Sequence, residues 1–278
     1  MKIVARLGRV RSLWAACAAL GVVLAFVATS ALAADNATQT AVAEQDLEAS
    51  RILYEMANVL AKAPAMSVTI RSGYDAIQED GQRIEFGEKR RITLQRPDRL
   101  RVDVQRSDGD KGQILFDGKT ITAFRAEDNV FARVEKNGTI DEILVFMVKD
   151  LQMTMPLARM FLTNFPQGLE KQVTSVSYVE EDHIFDVPTD HLAARSAAID
   201  LQVWVTQGEQ PLPRRVVITY KNAEGEPQFW AEFSDWTLSP KIEADSFSFT
   251  PPTGAEMIPL LAPVRQKGSL PAQEGDKQ

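Results

Sequence analysis

Residues 96–124 read RPDRLRVDVQRSDGDKGQILFDGKTITAF, and this stretch decides the fold. Leu100, Val102 and Val104 alternate with Arg99, Arg101 and Asp103, the period-2 signature of a strand with one buried and one wet face. Ile114 and Phe116 then run into Asp117-Gly118, a pair suited to the left-handed backbone of a tight hairpin, and the chain returns along Lys119 to Phe124. Strands joined this closely are antiparallel, and antiparallel sheets are the ones that leave one face in water.

Outward from this hairpin the pattern continues. Met66, Val68 and Ile70 alternate with Ser67, Thr69 and Arg71. Ile84 and Phe86, then Ile92 and Leu94, follow the turn Glu79-Asp80-Gly81, and Asn129 to Val134 closes a first meander at Asn137-Gly138. The period changes at Ile140. Ile140, Ile143, Leu144, Met147, Val148 and Leu151 recur at helical spacing, and Pro156 suits the first turn of a second short helix carrying Leu157, Met160, Phe161 and Leu162. Strands are predicted again over 173–180, 198–206, 214–222 and 228–238, with Phe247 and Phe249 marking a last short one. Before the sheet, Ala49, Ile52, Leu53, Met56 and Leu60 line one stripe of a helix predicted over 35–63 and stopped by Pro64.

The order is helix, meander, helical insertion, meander. It predicts an α+β domain in which a long curved antiparallel sheet forms an incomplete, half β-barrel. The N-terminal helix and a helical lid or plug (about 139–165) would then lie on its concave face. The expected limits are 34–258 for a single domain and 259–278 for a disordered tail rich in Pro, Gly, Gln and charge.

Residues 1–33 are read as a cleaved signal peptide. Lys2, Arg6, Arg9 and Arg11 precede the apolar run Leu13–Val27, and Ala31-Leu32-Ala33 offers small residues for cleavage after about Ala33. The expected location is the periplasm. The precursor has 278 residues and a formal charge of −7; losing four basic groups and no acid leaves the mature chain more acidic. An acidic balance argues against a nucleic-acid partner. Cys17, the only cysteine, lies inside the apolar run, so the mature chain has neither a disulfide nor a lipidation site after that run.

Catalytic signals are sparse. The mature chain has no Gly-x-Ser-x-Gly elbow, no His-Glu-x-x-His and no phosphate-cradling glycine loop, so no catalytic residue, metal ligand or cofactor is assigned. His183 and His191 sit among Glu180, Glu181, Asp182, Asp186 and Asp190, a segment read as a solvated acidic loop, with Asp190-His191 setting a turn before the next strand. Arg91, Arg99 and Arg101 fall on the wet phase, and interleaved acids predict cross-strand ion pairs rather than a head-group surface. Trp204 falls on the opposite phase from Leu201, Val203 and Val205, which leaves its cover open.

Three motifs stand in a telling order: Arg96-Pro97-Asp98-Arg99-Leu100, Phe116-Asp117-Gly118-Lys119-Thr120, and Phe247-Ser248-Phe249-Thr250-Pro251-Pro252-Thr253-Gly254. With an exported N-terminal helix before them, they resemble the periplasmic lipoprotein-carrier (LolA/LolB-like) superfamily. The segments Thr189–Leu192, Asp200–Trp204 and Pro211–Tyr220 are similar to a bacterial family of predicted periplasmic proteins without assigned function. The resemblance implies a concave apolar face that holds acyl chains. It also implies that Arg96 bonds to the lid's backbone and controls its opening. Leu100 stands where the carriers have an aromatic residue, a departure that bears on the membrane partner.

The residues add their own clue. Met147, Met153, Met155 and Met160 put half of the chain's eight methionines into fourteen residues, beside Phe146, Leu151 and Phe161. Methionine is flexible and polarizable, and it suits either a packed plug or a surface that refits around acyl chains. The candidate ligand site is therefore Arg96, Leu100, Leu144, Met147, Leu151, Met153, Met155, Met160 and Phe161. The leading expectation is a monomeric, soluble, non-catalytic carrier or binding protein. Its ligand would be a lipid, the acyl chains of a lipoprotein or another hydrophobic molecule, with a transient membrane or membrane-protein partner allowed. An envelope-sensing interaction module and, more remotely, a hydrolase using the His183–His191 region are the alternatives.

Overall fold

A thirteen-residue strand, β1 (Ala65–Ile77), lies near the middle of a single twelve-stranded sheet. The computed structural model describes residues 43–259; the predicted export segment and the tail beyond 259 lie outside the described residues. Helix α1 (43–62) ends at Pro64, as its missing N–H and its constraint on Ala63 require. After β1 come β2 (Arg83–Gln95), β3 (Arg99–Arg106), β4 (Lys111–Phe116), β5 (Thr120–Arg125) and β6 (Val130–Glu135). Then follow α2 (Ile140–Lys149), a single 3₁₀ turn (Ala158–Phe161) and α3 (Phe165–Gln172). The second set of strands is β7 (Ser175–Ile184), β8 (Val187–Arg195), β9 (Ile199–Thr206), β10 (Pro213–Tyr220), β11 (Gln228–Thr237) and the short β12 (Glu256–Met257).

The strand order is β12-β6-β5-β4-β3-β2-β1-β11-β10-β9-β8-β7, so the two meanders join where β1 pairs with β11. Every pairing is antiparallel except that of β12 with β6. The sheet is not closed, since β7 and β12 are its edges. Laid flat at about 4.8 Å per strand it would be roughly 50 Å wide. Instead Leu100, Phe116 and Ile121 of one wing share a core with Leu192, Val203 and Val205 of the other. Residues of α1 and α2 sit in that same core, so the sheet curves around the helices. Register irregularities in the β1–β11, β9–β10 and β7–β8 pairings add local twist where the curve needs it.

Local chemistry explains the elements. Ala49, Leu53, Met56 and Leu60 of α1 are buried on one stripe, while Leu47 is exposed. The Asp117-Gly118 turn forms as expected: Asp117 Oδ1 accepts from the N–H groups of Lys119 (3.0 Å) and Thr120 (2.8 Å), and Gly118 takes φ = 92°. Helix α2 opens on a capping box, in which Thr139 accepts from the N–H of Glu142 while Glu142 accepts from the N–H of Thr139.

Four expectations change. The helix predicted from Pro156 is only a 3₁₀ turn, and α3 extends the helical insertion to Gln172; Pro166 in its first turn is the start signal. The predicted acidic loop is instead the β7–β8 hairpin, closed through Phe185 (φ = 51°) and Asp186 (φ = 61°). Two positive-φ residues make the mirror-image turn that hairpins favour, with neither Asn-Gly nor Asp-Gly to announce it. Phe247 and Phe249 form no strand; Phe249 packs 5.6 Å from Phe124 and 5.4 Å from Phe131, ring centre to ring centre. Of the arginines on the wet phase, Arg99 and Arg101 pair with their sequence neighbours Asp98 (3.0 Å) and Asp103 (2.8 Å) rather than across strands.

Candidate functional site

Where the sheet's two-residue periodicity meets the insertion, three features stand together: a tether at Arg96, a cover over residues 140–172, and a cavity on the inner face of β2 to β5. The tether comes first in sequence. Arg96 follows directly on β2, and its side chain is only 12% exposed. Its Nε donates to the Ala63 carbonyl (3.1 Å), and its Nη2 donates to the carbonyls of Leu60 (3.4 Å) and Phe161 (2.9 Å). One guanidinium thus satisfies carbonyls at the C-terminal end of α1 and at the end of the 3₁₀ turn, which no backbone N–H reaches. Burial pulls its pKa below the ordinary arginine value, and Asp141, 3.5 Å from Nη1, opposes that pull.

Asp141 is itself held by the cover. Its carboxylate accepts from the Thr163 N–H (3.0 Å) and from the Thr163 hydroxyl. The Ile140 N–H donates to the Pro97 carbonyl at 2.7 Å, so the start of α2 is pinned to the β2–β3 turn. The cover is therefore bound to the sheet at its start and to Arg96 near its middle.

Under the cover, the sequence-predicted site residues separate into two groups. Leu100, Leu144, Met155 and Phe161 come together around a small pocket of about 30 Å³, the room of roughly one water. Met147 and Met160 are buried in the core with residues of α1 and the sheet, and Leu151 packs at the rim of that core. Met153 and Met155 are half-buried and overhang a larger cavity of about 270 Å³ on the inner face of β2 to β5. Its apolar wall includes Val102, Val104, Ile114, Ala123 and Phe124.

The same cavity has a charged wall that the sequence pattern alone did not single out. Glu88, Arg90, Arg106 and Asp110 line it. The register explains why: Ile92 pairs with Val102, Arg90 with Val104 and Glu88 with Arg106, so the charges continue the phase of the buried residues. The signal was present in the run Ile84, Phe86, Glu88, Arg90, Ile92, Leu94, six alternate residues on one face. Farther out on that face Ile84 and Phe86 are exposed, and Phe86 stacks on Tyr74 at 5.9 Å.

The two histidines lie away from this cavity. His191 stacks on Trp204 with ring centres 4.0 Å apart, and its Nε2 lies 3.2 Å from Gln202. Trp204 donates its indole N–H to Asp182 (2.9 Å), and Arg215 lies over the rings of both Trp204 and Trp230. That stack answers what covers Trp204: the outer-face residues of its own neighbouring strands. His183 is exposed beyond it. Among the described residues no group of three or more His, Cys, Asp or Glu side chains could hold a metal ion.

No curated protein matches the chain significantly. In structure the chain is similar to an uncharacterized conserved protein from Thermus thermophilus, at 10% identity and a TM-score of 0.44, covering 76% of this chain and 99% of that one. It is similar to LprF from Mycobacterium bovis (11% identity, TM-score 0.45, 72% of this chain and 98% of that one). It is also similar to the LolA superfamily protein NE2245 from Nitrosomonas europaea (11%, 0.36, 72% and 97%). In sequence, residues 49–261 match the pattern of a family described as "Predicted periplasmic protein (DUF2092)", and the chain belongs to that family.

Proposed function

We propose that the chain is a non-catalytic periplasmic carrier that holds an acyl chain against the inner face of its half-barrel, beneath the cover of residues 140–172. The observation that carries this reading is the continuity of the apolar face. It runs from the buried row Leu94, Leu100, Phe116 and Ile121 to the cavity under Met153 and Met155. One segment of chain closes it, and Arg96 ties that segment down through the Phe161 carbonyl and the Asp141 carboxylate. The small pocket enlarges only when the cover moves, so loading and release are coupled to that tether. Apolar burial at roughly 25 cal/mol per Å² supplies the affinity, less the cost of ordering the ligand and the cover. The half-buried methionines at the mouth refit around chains of different length.

Native mass spectrometry of protein exported to the periplasm and purified without detergent tests the reading. The expected result is a co-purified acyl species, released by organic solvent, that is depleted in Met155→Glu. That substitution puts a carboxylate over the apolar pocket from a half-exposed position. A wild-type chain that arrives consistently bare, in a stoichiometric complex with another protein, overturns the carrier and favours the interaction module.

A further inference from the structure

The charged wall of the larger cavity is the feature that an acyl-chain site does not need. Glu88 and Arg90 pair at 2.6 Å, and Arg106 and Asp110 pair at 3.3 Å. The Asp110 side chain is only 7% exposed. Two atoms in this wall are buried without a hydrogen-bond partner: Arg90 Nε, a donor, and Asp110 Oδ1, an acceptor. A buried charge-bearing group with an unmade bond destabilises a fold, and apolar residues in the same positions would cost less. Arg90 and Glu88 also sit on the inner phase of β2, where alternation otherwise supplies Ile92 and Leu94.

We propose that this wall is a head-group site for a single-chain amphipath whose head carries both an anionic oxygen and a protonated amine. The proposal rests on the carrier reading and specifies its ligand. The anionic oxygen accepts from the Arg90 guanidinium, with the Arg106 guanidinium on the same wall; the ammonium donates to the Asp110 carboxylate, with the Glu88 carboxylate on the same wall. The two unpartnered atoms are buried, so these side chains turn toward the head as it binds. Arg90, Arg106, Glu88 and Asp110 bring both charges to this wall, and the third arginine lining the cavity, Arg125, is paired with Asp128. The wall therefore matches a head of both charges and disfavours a purely anionic one, which brings no cation for Glu88 and Asp110. The chain leaves the head along Val102 and Met155, which line both the larger cavity and the small apolar pocket. A cavity of about 270 Å³ exceeds the roughly 150 Å³ that accommodates benzene in an engineered core, so a polar head fits without opening the cover fully.

The test is a binding comparison on the full mature chain with four single-chain probes, by titration calorimetry below their micelle concentrations. The probes are lysophosphatidylethanolamine, lysophosphatidylglycerol, lysophosphatidylcholine and a free fatty acid. Lysophosphatidylethanolamine is expected to bind about tenfold more tightly than the other three, which lack the amine or its N–H donors. Asp110→Asn and Arg90→Gln, each checked for a wild-type circular dichroism spectrum, are each expected to bring the four probes to within about twofold. Equal affinities in the wild type, or a preference that survives both variants, overturn the head-group site while leaving the carrier intact. Binding of none of the probes overturns both readings together.

Discussion

Replacing Arg96 with methionine separates the tether from the packing around it. Met keeps the apolar stem that lies between α1 and the cover, but it removes every donor. The bonds to Leu60 and Ala63 join β2 to α1, so their loss weakens the fold as a whole. The bond to Phe161 at 2.9 Å crosses to the cover, and a hydrogen bond from a charged group contributes about 1.5–3 kcal/mol. The Asp141 contact at 3.5 Å is partly exposed and adds about 0.5 kcal/mol after screening. The Asp141–Thr163 bonds lie inside the cover and survive its opening. Opening of residues 140–172 should therefore become easier by about 2–3.5 kcal/mol, roughly 30- to 300-fold in the opening constant. Hydrogen exchange followed by mass spectrometry reads this directly. Peptides from the cover should lose that much protection beyond whatever is lost in β9 and β10. Arg96→Lys, which keeps the charge without the fork, should fall between. Equal loss of protection everywhere, or no loss in the cover, would refute the tether.

Two further outcomes follow from the packing. All four tyrosines have raised pKa values: burial is the main cause in each, Asp190 adds to it at Tyr178, which is pushed up to about 12, and burial alone acts at Tyr220. A phenol whose folded pKa exceeds its unfolded value of about 10 contributes stability that is complete below that pH and is lost as pH rises through the folded pKa. Spectrophotometric titration should therefore find native phenols ionising above those of the urea-unfolded chain, with denaturation midpoints falling only in the alkaline range; coincident curves contradict it. At Gly73, a β-carbon would stand 2.7 Å from the indole of Trp230, so Gly73→Ala should destabilise by about 1–3 kcal/mol in urea melts. An unchanged midpoint would mean that the indole moves aside freely.

What could be read from the sequence depended on whether a rule was local. The strand at Leu100–Val104 and the Asp117-Gly118 turn needed only alternation and one glycine, and α2 needed only its apolar spacing. Strand β8 was missed because its turn uses Phe185 and Asp186, whose left-handed conformations depend on the hairpin they close. Phe185 is exposed at the tip of that hairpin, with the Arg214 guanidinium of β10 over its ring. Phe249 looked like a strand residue because two aromatics alternate there, yet its role is to pack between Phe124 and Phe131. The site was harder to read. Arg96 came from the resemblance and not from its chemistry, since a strand-end arginine has no signature of the carbonyls that await it. Glu88 and Arg90 were not singled out, although their phase with Ile92 and Leu94 places them inside.

The central claim is that acyl chains occupy the inner face under the cover, and a photoreactive fatty acid tests it most directly. Crosslinked in the mature protein and mapped by mass spectrometry, it should label peptides containing Val102, Leu144 and Met155, and excess unlabelled fatty acid should suppress that labelling. Labelling confined to the outer face around Trp204 and Trp230, or unaffected by competitor, would contradict the account.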